Sequence, residues 1–425
     1  MNYLELIDYI NSDKLNQIIK NIVGNGDINN EKSRYQKLLE NAYECFDDGD
    51  YHLVSSPGRS EIGGNHTDHQ HGNVVCAALS IDNLCVFKAT NNNEIVFKDA
   101  HFDEVRIDIS DLSIHQEELN TSAALIRGVA FRLQEMGYSI GGFEAICDSH
   151  VLIGASISSS ACFEVMIVEI FNSLFNDGKI DIVKRALVSQ YAENVYFGKP
   201  SGLLDQLAIS AGGFTTIDFK DSNNPVINSY DFSFDDYGYK FLIINTKGDH
   251  SNLSYEYAAI PNEIKLVAHE LGVEYLADTS YEKLISNLKT IREKINNDRA
   301  ILRSIHFFNE NNNAILEKKA IENKDIDALL SLMKDSGRTS YMYLQNVYAS
   351  SRPTSQSIAI ALAITENYLN GKGAFRIQGG GFEGTIISIV PNDMVDGYKK
   401  LIFSVYGDDA ILEVSIRPFG TKTIV

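Results

Sequence analysis

The sequence predicts an α+β fold with two domains, for three reasons. The chain has 425 residues, which exceeds the length at which a single hydrophobic core usually stops growing. Short apolar stretches typical of β-strands dominate residues 51–109, and longer stretches with helical periodicity follow them. Residues 223–236 are rich in Asn, Asp and Ser, and a new strand pattern begins beyond them. We therefore expect a domain boundary close to residue 228.

The predicted elements follow in a simple order. The first 50 residues place Leu and Ile at helical spacing around a polar break at 24–30, which predicts a helical extension packed on the first domain. Strands are predicted at 51–54, 74–87, 94–97, 105–109, 240–245, 374–377 and 385–390. Helices are predicted at 122–136, 161–176 and 182–197, the last stopped by Gly198 and Pro200. The predicted units are an extension at 1–50, an N-terminal domain at 51–228 and a C-terminal domain at 229–425.

Composition and charge narrow the class of protein. Hydrophobic residues make up 44% of the chain and charged residues 22%, as in ordinary soluble globular proteins. A formal net charge of −20 without a cluster of Lys and Arg argues against nucleic acid or an anionic membrane as a partner. Glu5 and Asp8 stand where a signal peptide needs positive charge, and the apolar runs are too short to span a bilayer.

The cysteines favour a reducing environment, as in the cytoplasm. The five cysteines show no CxxC spacing, which argues against a disulfide framework or a structural zinc site. We expect a cytoplasmic protein that works as a monomer, with neither nucleic acid nor a membrane as its partner.

The stretch SSPGRSEIGGNHTDHQHG, residues 55–72, is the most informative part of the chain. It combines one arginine, two carboxylates, three histidines and four glycines. Such side chains stay out of an apolar interior unless each finds a partner, so we interpret this run as a functional surface. Its three histidines lack the spacing and the further Cys or His residues of a zinc site, which favours hydrogen-bonding roles for them.

Two further islands, GASISSSA at 154–161 and GGGFEG at 379–384, lie in apolar surroundings. In the first, small residues leave backbone N–H groups free just before a long helix, an arrangement that favours phosphate. The chain contains no GxxxxGK[ST] and no GxGxxG after a strand, which excludes a P-loop and a dinucleotide fold. Taken alone, the first island could be a Ser-rich helix cap and the second a Gly-rich hairpin.

Together the three motifs resemble the signatures of the GHMP small-molecule kinases, and the first is similar to the galactokinase branch. The likeness extends from about residue 55 to the C-terminus. It implies a mixed-sheet N-terminal domain and a ferredoxin-like α/β C-terminal domain. It also implies a kinase that uses ATP and Mg²⁺ to phosphorylate the anomeric hydroxyl of galactose or a galactose-like sugar.

The resemblance also implies roles for individual residues, although Glu193 alone could be a solvated helix residue and Asp205 alone a helix cap. Arg59 and Asp205 would be catalytic, and Ser160 and Glu193 would hold Mg²⁺. The sugar would contact Glu61, Asn65, His66, Asp68, Gly202 and Tyr257. The nucleotide would contact Gly154, Ala155, Ser156, Ser158, Ser159, Ser160, Gly379, Gly380 and Gly381.

Two departures from the family pattern carry expectations of their own. Ser156 replaces the second glycine of PxGxGLSSSA, and a positive φ there would cost on the order of 1 kcal/mol. Glu61 and Asn65 reverse the family's order of amide and carboxylate, so we hypothesise that the two side chains touch. The exchange could instead indicate another acceptor, such as galacturonate, an N-acetylhexosamine or L-arabinose.

Two other functions remain open from sequence. One is a sugar- and nucleotide-binding regulator without catalysis, which the intact Arg59 and Asp205 argue against. The other is a kinase for a non-sugar alcohol such as mevalonate or homoserine, whereas the HTD sequence at 66–68 favours a sugar.

Overall fold

Two β-sheets form the framework of the computed structural model, which describes residues 1–24, 26–99, 102–151, 156–248 and 253–425. The strands are β1 (His52–Gly63), β2 (Asn73–Ala89), β3 (Glu94–Asp99), β4 (Phe102–Asp108), β5 (Phe143–Ser149), β6 (Phe214–Asp218), β7 (Val226–Tyr230), β8 (Tyr239–Asn245), β9 (Ala374–Ile377), β10 (Thr385–Pro391), β11 (Ile411–Val414) and β12 (Lys422–Thr423).

The larger sheet has eight strands and is mixed. Its order is β12-β1-β2-β5-β3-β4, and β6 and β7 extend it from β2. Strands β3 and β5 run parallel, whereas the other pairs of this sheet are antiparallel. The smaller sheet has four antiparallel strands in the order β11-β8-β10-β9. The predicted α+β fold with a mixed sheet is confirmed, and the smaller sheet has one strand, β11, beyond the three predicted there.

Helices cover these sheets and connect their strands. They are α1 (Tyr3–Asn11), α2 (Asp13–Val23), α3 (Ile28–Phe46), α4 (Ser122–Glu135), α5 (Ser159–Phe175), α6 (Ile182–Tyr191), α7 (Leu204–Ala211), α8 (Ser254–Glu270), α9 (Tyr281–Ile295), α10 (Asp298–Glu322), α11 (Ile326–Thr339), α12 (Ser357–Leu369) and α13 (Val395–Tyr406). Short π-helical turns follow α6 at Ala192–Phe197 and α11 at Ser340–Leu344. Within the described ranges, no helix has the length and apolar character needed to cross a membrane.

The first 46 residues form three helices that pack on one face of the larger sheet. Leu6, Ile10 and Leu39 share a buried cluster with Leu53 of β1 and Val86 of β2. The opposite face of this sheet packs against α4 and α5. Both faces of the central strands of this sheet are therefore buried.

The Arg34 guanidinium of α3 secures this packing. Its Nη1 donates to Asp82 Oδ1 at 2.7 Å, and its Nε donates to Asp148 Oδ2 at 2.6 Å. Asp82 is buried on β2, so the extension supplies the cation that this carboxylate needs.

The smaller sheet is also buried on both faces. Leu242 and Ile244 of β8 pack with α12 and α13, whereas Phe241 and Ile243 pack toward α11 and the larger sheet. The predicted strand at 240–245 is confirmed by β8. The expected boundary at residue 228 falls inside β7, and β12 at the end of the chain pairs with β1. The division into two domains at that residue stays a prediction.

A buried carboxylate joins α10 to β1. Glu317 is fully buried, and neither of its oxygens has a hydrogen-bond partner among the described residues. It lies directly against Gly63, where a Cβ would overlap the carboxylate. Burial, with the nearby Glu310 carboxylate, raises the pKa of Glu317 well above its ordinary value. The neutral acid is therefore the form that the folded chain favours.

Replacing Glu317 with glutamine is expected to stabilise the protein increasingly as pH rises. Because the folded-state pKa is raised, the stability tied to the neutral acid is complete below the unfolded value of about 4.3. It is then lost as the pH rises through the folded-state pKa. The free energy of unfolding of E317Q minus that of wild type, from urea titrations at several pH values, should grow upward from about pH 4.3.

The exposed Glu293 provides a matched control for this measurement. Its side chain is 67% exposed, so E293Q should change the free energy of unfolding by no more than about 0.5 kcal/mol. A difference for E317Q that does not change with pH would show that Glu317 titrates alike in the folded and unfolded chain.

Candidate active site

The first motif enters the interior on β1. The expectation that residues 55–72 form a surface is wrong for their first half, because Ser55, Ser56, Arg59, Ser60 and Glu61 are buried. Strand β1 runs through Gly63, and its pairing with β2 shifts register at two points, between 57 and 59 and between 61 and 63. Such irregularities redirect side chains from a regular sheet. Each buried polar group has a partner, which makes its burial affordable.

Arg59 and Asp205 form the centre of the site. Nε of Arg59 donates to Asp205 Oδ1 at 2.6 Å, and Nη2 donates to Oδ2 at 3.0 Å. Nη1 donates to the Ser156 carbonyl at 2.6 Å. The Arg59 side chain is 6% exposed, but that of Asp205 is 32% exposed. The structure thus brings the two predicted catalytic residues together and leaves the carboxylate facing open space.

Several positive or donating groups act on the Asp205 carboxylate. Burial alone would raise the pKa of Asp205, but the Arg59 guanidinium, the Ser158 hydroxyl and the Lys199 ammonium lower it below its ordinary value. The Ser158 hydroxyl donates directly to Asp205 Oδ2. The group is therefore a carboxylate at neutral pH, able to accept a hydrogen bond.

The serine loop leads into α5 beside this pair. Ser156 and Ser158 have φ values of 53° and 61°, so both adopt the left-handed conformation that favours glycine. At Ser156 this is the positive φ for which we give a cost on the order of 1 kcal/mol. The Ser156 carbonyl holds the loop in place, because it accepts hydrogen bonds from Arg59 and, at 3.2 Å, from Gln378. The predicted nucleotide contacts Gly154 and Ala155 lie outside the described residues.

A second carboxylate, from the π-helical turn after α6, contacts the first turn of α5. Glu193 is 2% exposed, and its Oε1 accepts from Ser160 Oγ at 2.8 Å and from Lys199 Nζ at 2.7 Å. Its Oε2 accepts from Gln206 Nε2 at 2.9 Å. The π-helical turn, a feature frequent at functional sites, carries Glu193 toward Ser160. The two predicted metal ligands are therefore adjacent.

The residues present fit Mg²⁺ together with a nucleotide. A hydroxyl oxygen and a carboxylate oxygen lie 2.8 Å apart in Ser160 and Glu193, and Mg²⁺ prefers such oxygen ligands. No group of three or more His, Cys, Asp or Glu side chains able to hold a metal occurs within the described residues. An ion held here would complete its shell with phosphate and water, as Mg²⁺ usually does.

The third motif connects to the first through its backbone. The Gly379 carbonyl accepts from Asn65 Nδ2 at 2.9 Å. The Gly381 carbonyl accepts from the Tyr257 hydroxyl at 3.0 Å, and the Tyr257 ring packs on Gly380. Gly379 also lies against Arg59 and Ser156, so the three predicted motifs converge on one site.

Glu61 and Asn65 do touch, as hypothesised. Asn65 Nδ2 donates to Glu61 Oε1 at 2.6 Å, and Asn65 Oδ1 accepts from Asn346 Nδ2 at 2.9 Å. Glu61 Oε1 also accepts from Arg376 at 3.1 Å. Asn65 is fully buried and Glu61 is 5% exposed. Both therefore belong to the layer of buried side chains behind the site, called the wall below. Direct contact of either with a sugar stays a prediction.

This contact makes a double-mutant cycle informative. Glu61→Asn and Asn65→Glu should each cost about 1–3 kcal/mol of stability, because each leaves buried polar groups without partners. The reversed pair E61N/N65E should lose less than the sum of the single changes, by about 0.5–3 kcal/mol. Urea unfolding of the four proteins measures the coupling. Losses that simply add would show that the two residues act independently.

The remaining predicted sugar contacts surround Asp205 and the glycine turn. Burial lowers the pKa of His66 to about 3, so its ring is neutral and its Nε2–H donates to the Gly380 carbonyl at 3.2 Å. Asp68 lies directly against Gly202, where a Cβ would overlap its carboxylate. A side chain at position 202, three residues before Asp205, would therefore displace the Asp68 carboxylate.

Sequence reasoning missed three residues of this site. Lys199 pairs with Glu193, Gln206 bridges Glu193 to the buried Glu164, and Arg376 pairs with Glu61. Lys199 lies in the turn between Gly198 and Pro200, and Arg376 lies in an apolar strand pattern. The sequence could have identified them by position. Each is a charged or amide residue close in sequence to a predicted functional residue.

Comparisons with known proteins agree with this geometry. The model of the galactokinase galactose-binding signature matches residues 43–89, and that of the GHMP kinases N terminal domain matches residues 124–213. In both regions the chain is similar to galactokinases of the GHMP kinase type. Relatives named galactokinase from Clostridium tetani and Clostridium beijerinckii are 25% and 27% identical to this kinase over 374 and 383 residues. These alignments cover 87% and 89% of the kinase and 92% and 93% of the relatives.

Solved structures give the same fold for this kinase. A crystal structure of Lactococcus lactis galactokinase complexed with galactose matches with a TM-score of 0.77 and 21% identity, covering 90% of this kinase and 98% of that chain. A crystal structure of mevalonate kinase matches with a TM-score of 0.58 and 14% identity, covering 86% and 98%. At these identities the likeness establishes the fold.

Proposed function

We propose that this chain is an ATP-dependent kinase that phosphorylates the anomeric hydroxyl of galactose or a galactose-like sugar. The observation that carries this proposal is the bidentate pair of Arg59 and Asp205, held against the serine loop with the carboxylate open to solvent. Relatives that cover most of the chain and are named galactokinase support the same reaction. The protein is a phosphotransferase that acts on a sugar hydroxyl.

The geometry divides the chemical work between two side chains. Phosphoryl transfer needs alignment and charge stabilisation more than covalent chemistry. Asp205 would accept a hydrogen bond from the acceptor hydroxyl and take its proton, as the hydroxyl oxygen bonds to the γ-phosphorus of ATP and the bond from that phosphorus to ADP breaks. Arg59 fixes the carboxylate through two hydrogen bonds and brings positive charge next to the reacting oxygen. Ser158 adds a third donor to the same carboxylate.

Ser160 and Glu193 would hold Mg²⁺, which neutralises phosphate charge when it is bound with the nucleotide. The first turn of α5, with Ser159 and Ser160, presents backbone N–H groups to the phosphates. Glu193 is kept in place by Gln206 behind it. We propose the same nucleotide role for Gly379, Gly380 and Gly381, whose turn lies beside the serine loop.

His66, Asp68, Gly202 and Tyr257 are proposed as sugar contacts. Glu61 and Asn65 instead support the wall, because their polar groups are taken by neighbours. The exchange of these two residues keeps one carboxylate and one amide in a single network, which favours galactose over galacturonate. The monomeric state and the cytoplasmic location expected from the sequence stay predictions.

A panel of sugars with coupled detection of ADP tests the proposal. Galactose, galacturonate, N-acetylgalactosamine, N-acetylglucosamine and L-arabinose are each supplied with ATP and Mg²⁺, and the product is identified by NMR. We expect galactose to give the highest kcat/KM and the product to carry phosphate at C1. ADP release that is independent of every sugar, or product with phosphate at another carbon, would contradict the proposal.

A further inference from the structure

Lys199 lies at the point where the two proposed metal ligands meet. Its Nζ is 2.7 Å from Glu193 Oε1 and 3.5 Å from Ser160 Oγ. These are the oxygens proposed to hold Mg²⁺. A cation of the chain itself therefore neutralises Glu193, and an ion that takes this carboxylate must displace the ammonium.

The turn that carries Lys199 is built firmly. Gly198 has a φ of 87°, and the N–H groups of Gly198 and Lys199 both donate to the Glu193 carbonyl at 3.1 Å. Asn194 Oδ1 accepts from the Ser201 N–H at 2.7 Å and secures the far end of the turn. The Lys199 side chain is 56% exposed, whereas that of Glu193 is 2% exposed. The backbone is thus fixed, while the ammonium on its flexible stem has open space beside it.

We propose that Lys199 is a phosphate ligand of this kinase, whose ammonium neutralises Glu193 without nucleotide and binds phosphate oxygens when a metal ion takes Glu193. The inference rests on the proposed kinase function. Lys199 lies outside the three motifs and would add a cation at the phosphates.

The charges around the site support this role. The guanidinium of Arg59 is committed to Asp205 and to the Ser156 carbonyl through all three of its nitrogens. Lys199 pairs with Glu193, the partner that a bound metal would take from it. A displaced ammonium on its flexible stem would be free to bind phosphate oxygens beside Ser160, from which it lies 3.5 Å. A chain with a net charge of −20 needs such local cations to hold a polyphosphate.

Nucleotide binding by charge variants tests the proposal. Calorimetry measures the affinity for ADP with excess Mg²⁺ and again with EDTA, for wild type, Lys199→Met and Lys199→Arg. We expect K199M to bind ADP about 10- to 100-fold more weakly with Mg²⁺ and K199R to retain most of the affinity. With EDTA the loss should be smaller, because Lys199 then stays on Glu193. Lys179→Met is the matched control, because Lys179 is 73% exposed and paired with Asp177. It should bind like wild type.

Metal binding without nucleotide provides the second readout. Because the ammonium competes with the ion for Glu193, K199M should bind Mn²⁺ more tightly than wild type, by up to about fivefold, as measured by electron paramagnetic resonance. A residue with a purely structural role would not weaken ADP binding and strengthen Mn²⁺ binding at once.

The outcomes separate this inference from the proposed function. ADP affinity of K199M equal to that of wild type in both buffers would overturn the role of Lys199 and leave the kinase function untouched. Unchanged or weaker Mn²⁺ binding by K199M would overturn the shared use of Glu193. If wild type itself binds no ADP with Mg²⁺, the proposed function fails and this inference fails with it.

Discussion

Asp205→Asn is expected to lower kcat for galactose by about 10²- to 10⁴-fold. The amide keeps the shape of the carboxylate but cannot take the proton of the acceptor hydroxyl. The affinity for ADP should change little. The Asp205 oxygens accept hydrogen bonds from Arg59 and Ser158, whereas the proposed metal ligands are Ser160 and Glu193. Steady-state kinetics with ADP detection measures the first effect, and calorimetry with ADP measures the second.

A carboxylate outside the site provides the control for this variant. Asp177 is 83% exposed, so Asp177→Asn should leave both quantities unchanged. Turnover of D205N close to that of wild type would overturn the catalytic assignment and would favour another group as the proton acceptor. Absence of turnover in wild type itself, with sugar and nucleotide still bound, would instead favour the regulator that the sequence left open.

Arg376→Met is expected to destabilise the protein by about 3–5 kcal/mol. Arg376 is fully buried on β9, and its guanidinium donates to the Glu61 carbonyl at 2.7 Å and to Glu61 Oε1 at 3.1 Å. It also faces the buried Glu310 and Glu317, whose pKa values it lowers against the opposing effect of burial. Methionine of similar length would leave the Glu61 and Glu310 carboxylates without this cation, whereas Glu317 would stay a neutral acid. Urea unfolding measures the loss.

A second substitution distinguishes lost charge from lost packing. Adding Glu61→Gln to R376M removes the carboxylate that the variant leaves unpaired, so the double variant should recover part of the stability. A single-variant loss below about 1 kcal/mol would show that water or a neighbouring carboxyl proton replaces the arginine.

Local sequence patterns predicted the helices well. The pattern at 182–197 corresponds to α6 and the π-helical turn that continues it to Phe197, and Gly198 ends it in the left-handed conformation as expected. The patterns at 122–136 and 161–176 correspond to α4 and α5 within two residues at each end. Helix ends depend on caps and periodicity that lie within a few residues, which explains the agreement.

The strands show where local patterns fail. Only residues 51–54 were predicted as strand in the region where β1 runs from His52 to Gly63. The second half of β1 is polar, so its sequence alone predicts a loop. It is a buried strand because its polar side chains bond to distant parts of the chain, Ser60 to Gln378 and Glu61 to Arg376. Strands β6 and β7 were missed for a similar reason, since their pairing with β2 is a long-range contact.

For this protein the sequence by itself determined the motifs, their family and the pair of catalytic candidates, because residue types and short spacings record the chemistry. Only the tertiary structure decided which polar groups meet. It placed Glu61 against Asn65, left Asp205 open beside Arg59 and set Lys199 on Glu193. The physical reason is that a buried charge is tolerable only beside a partner, and that partner can be distant in the chain, as Arg376 is 315 positions from Glu61.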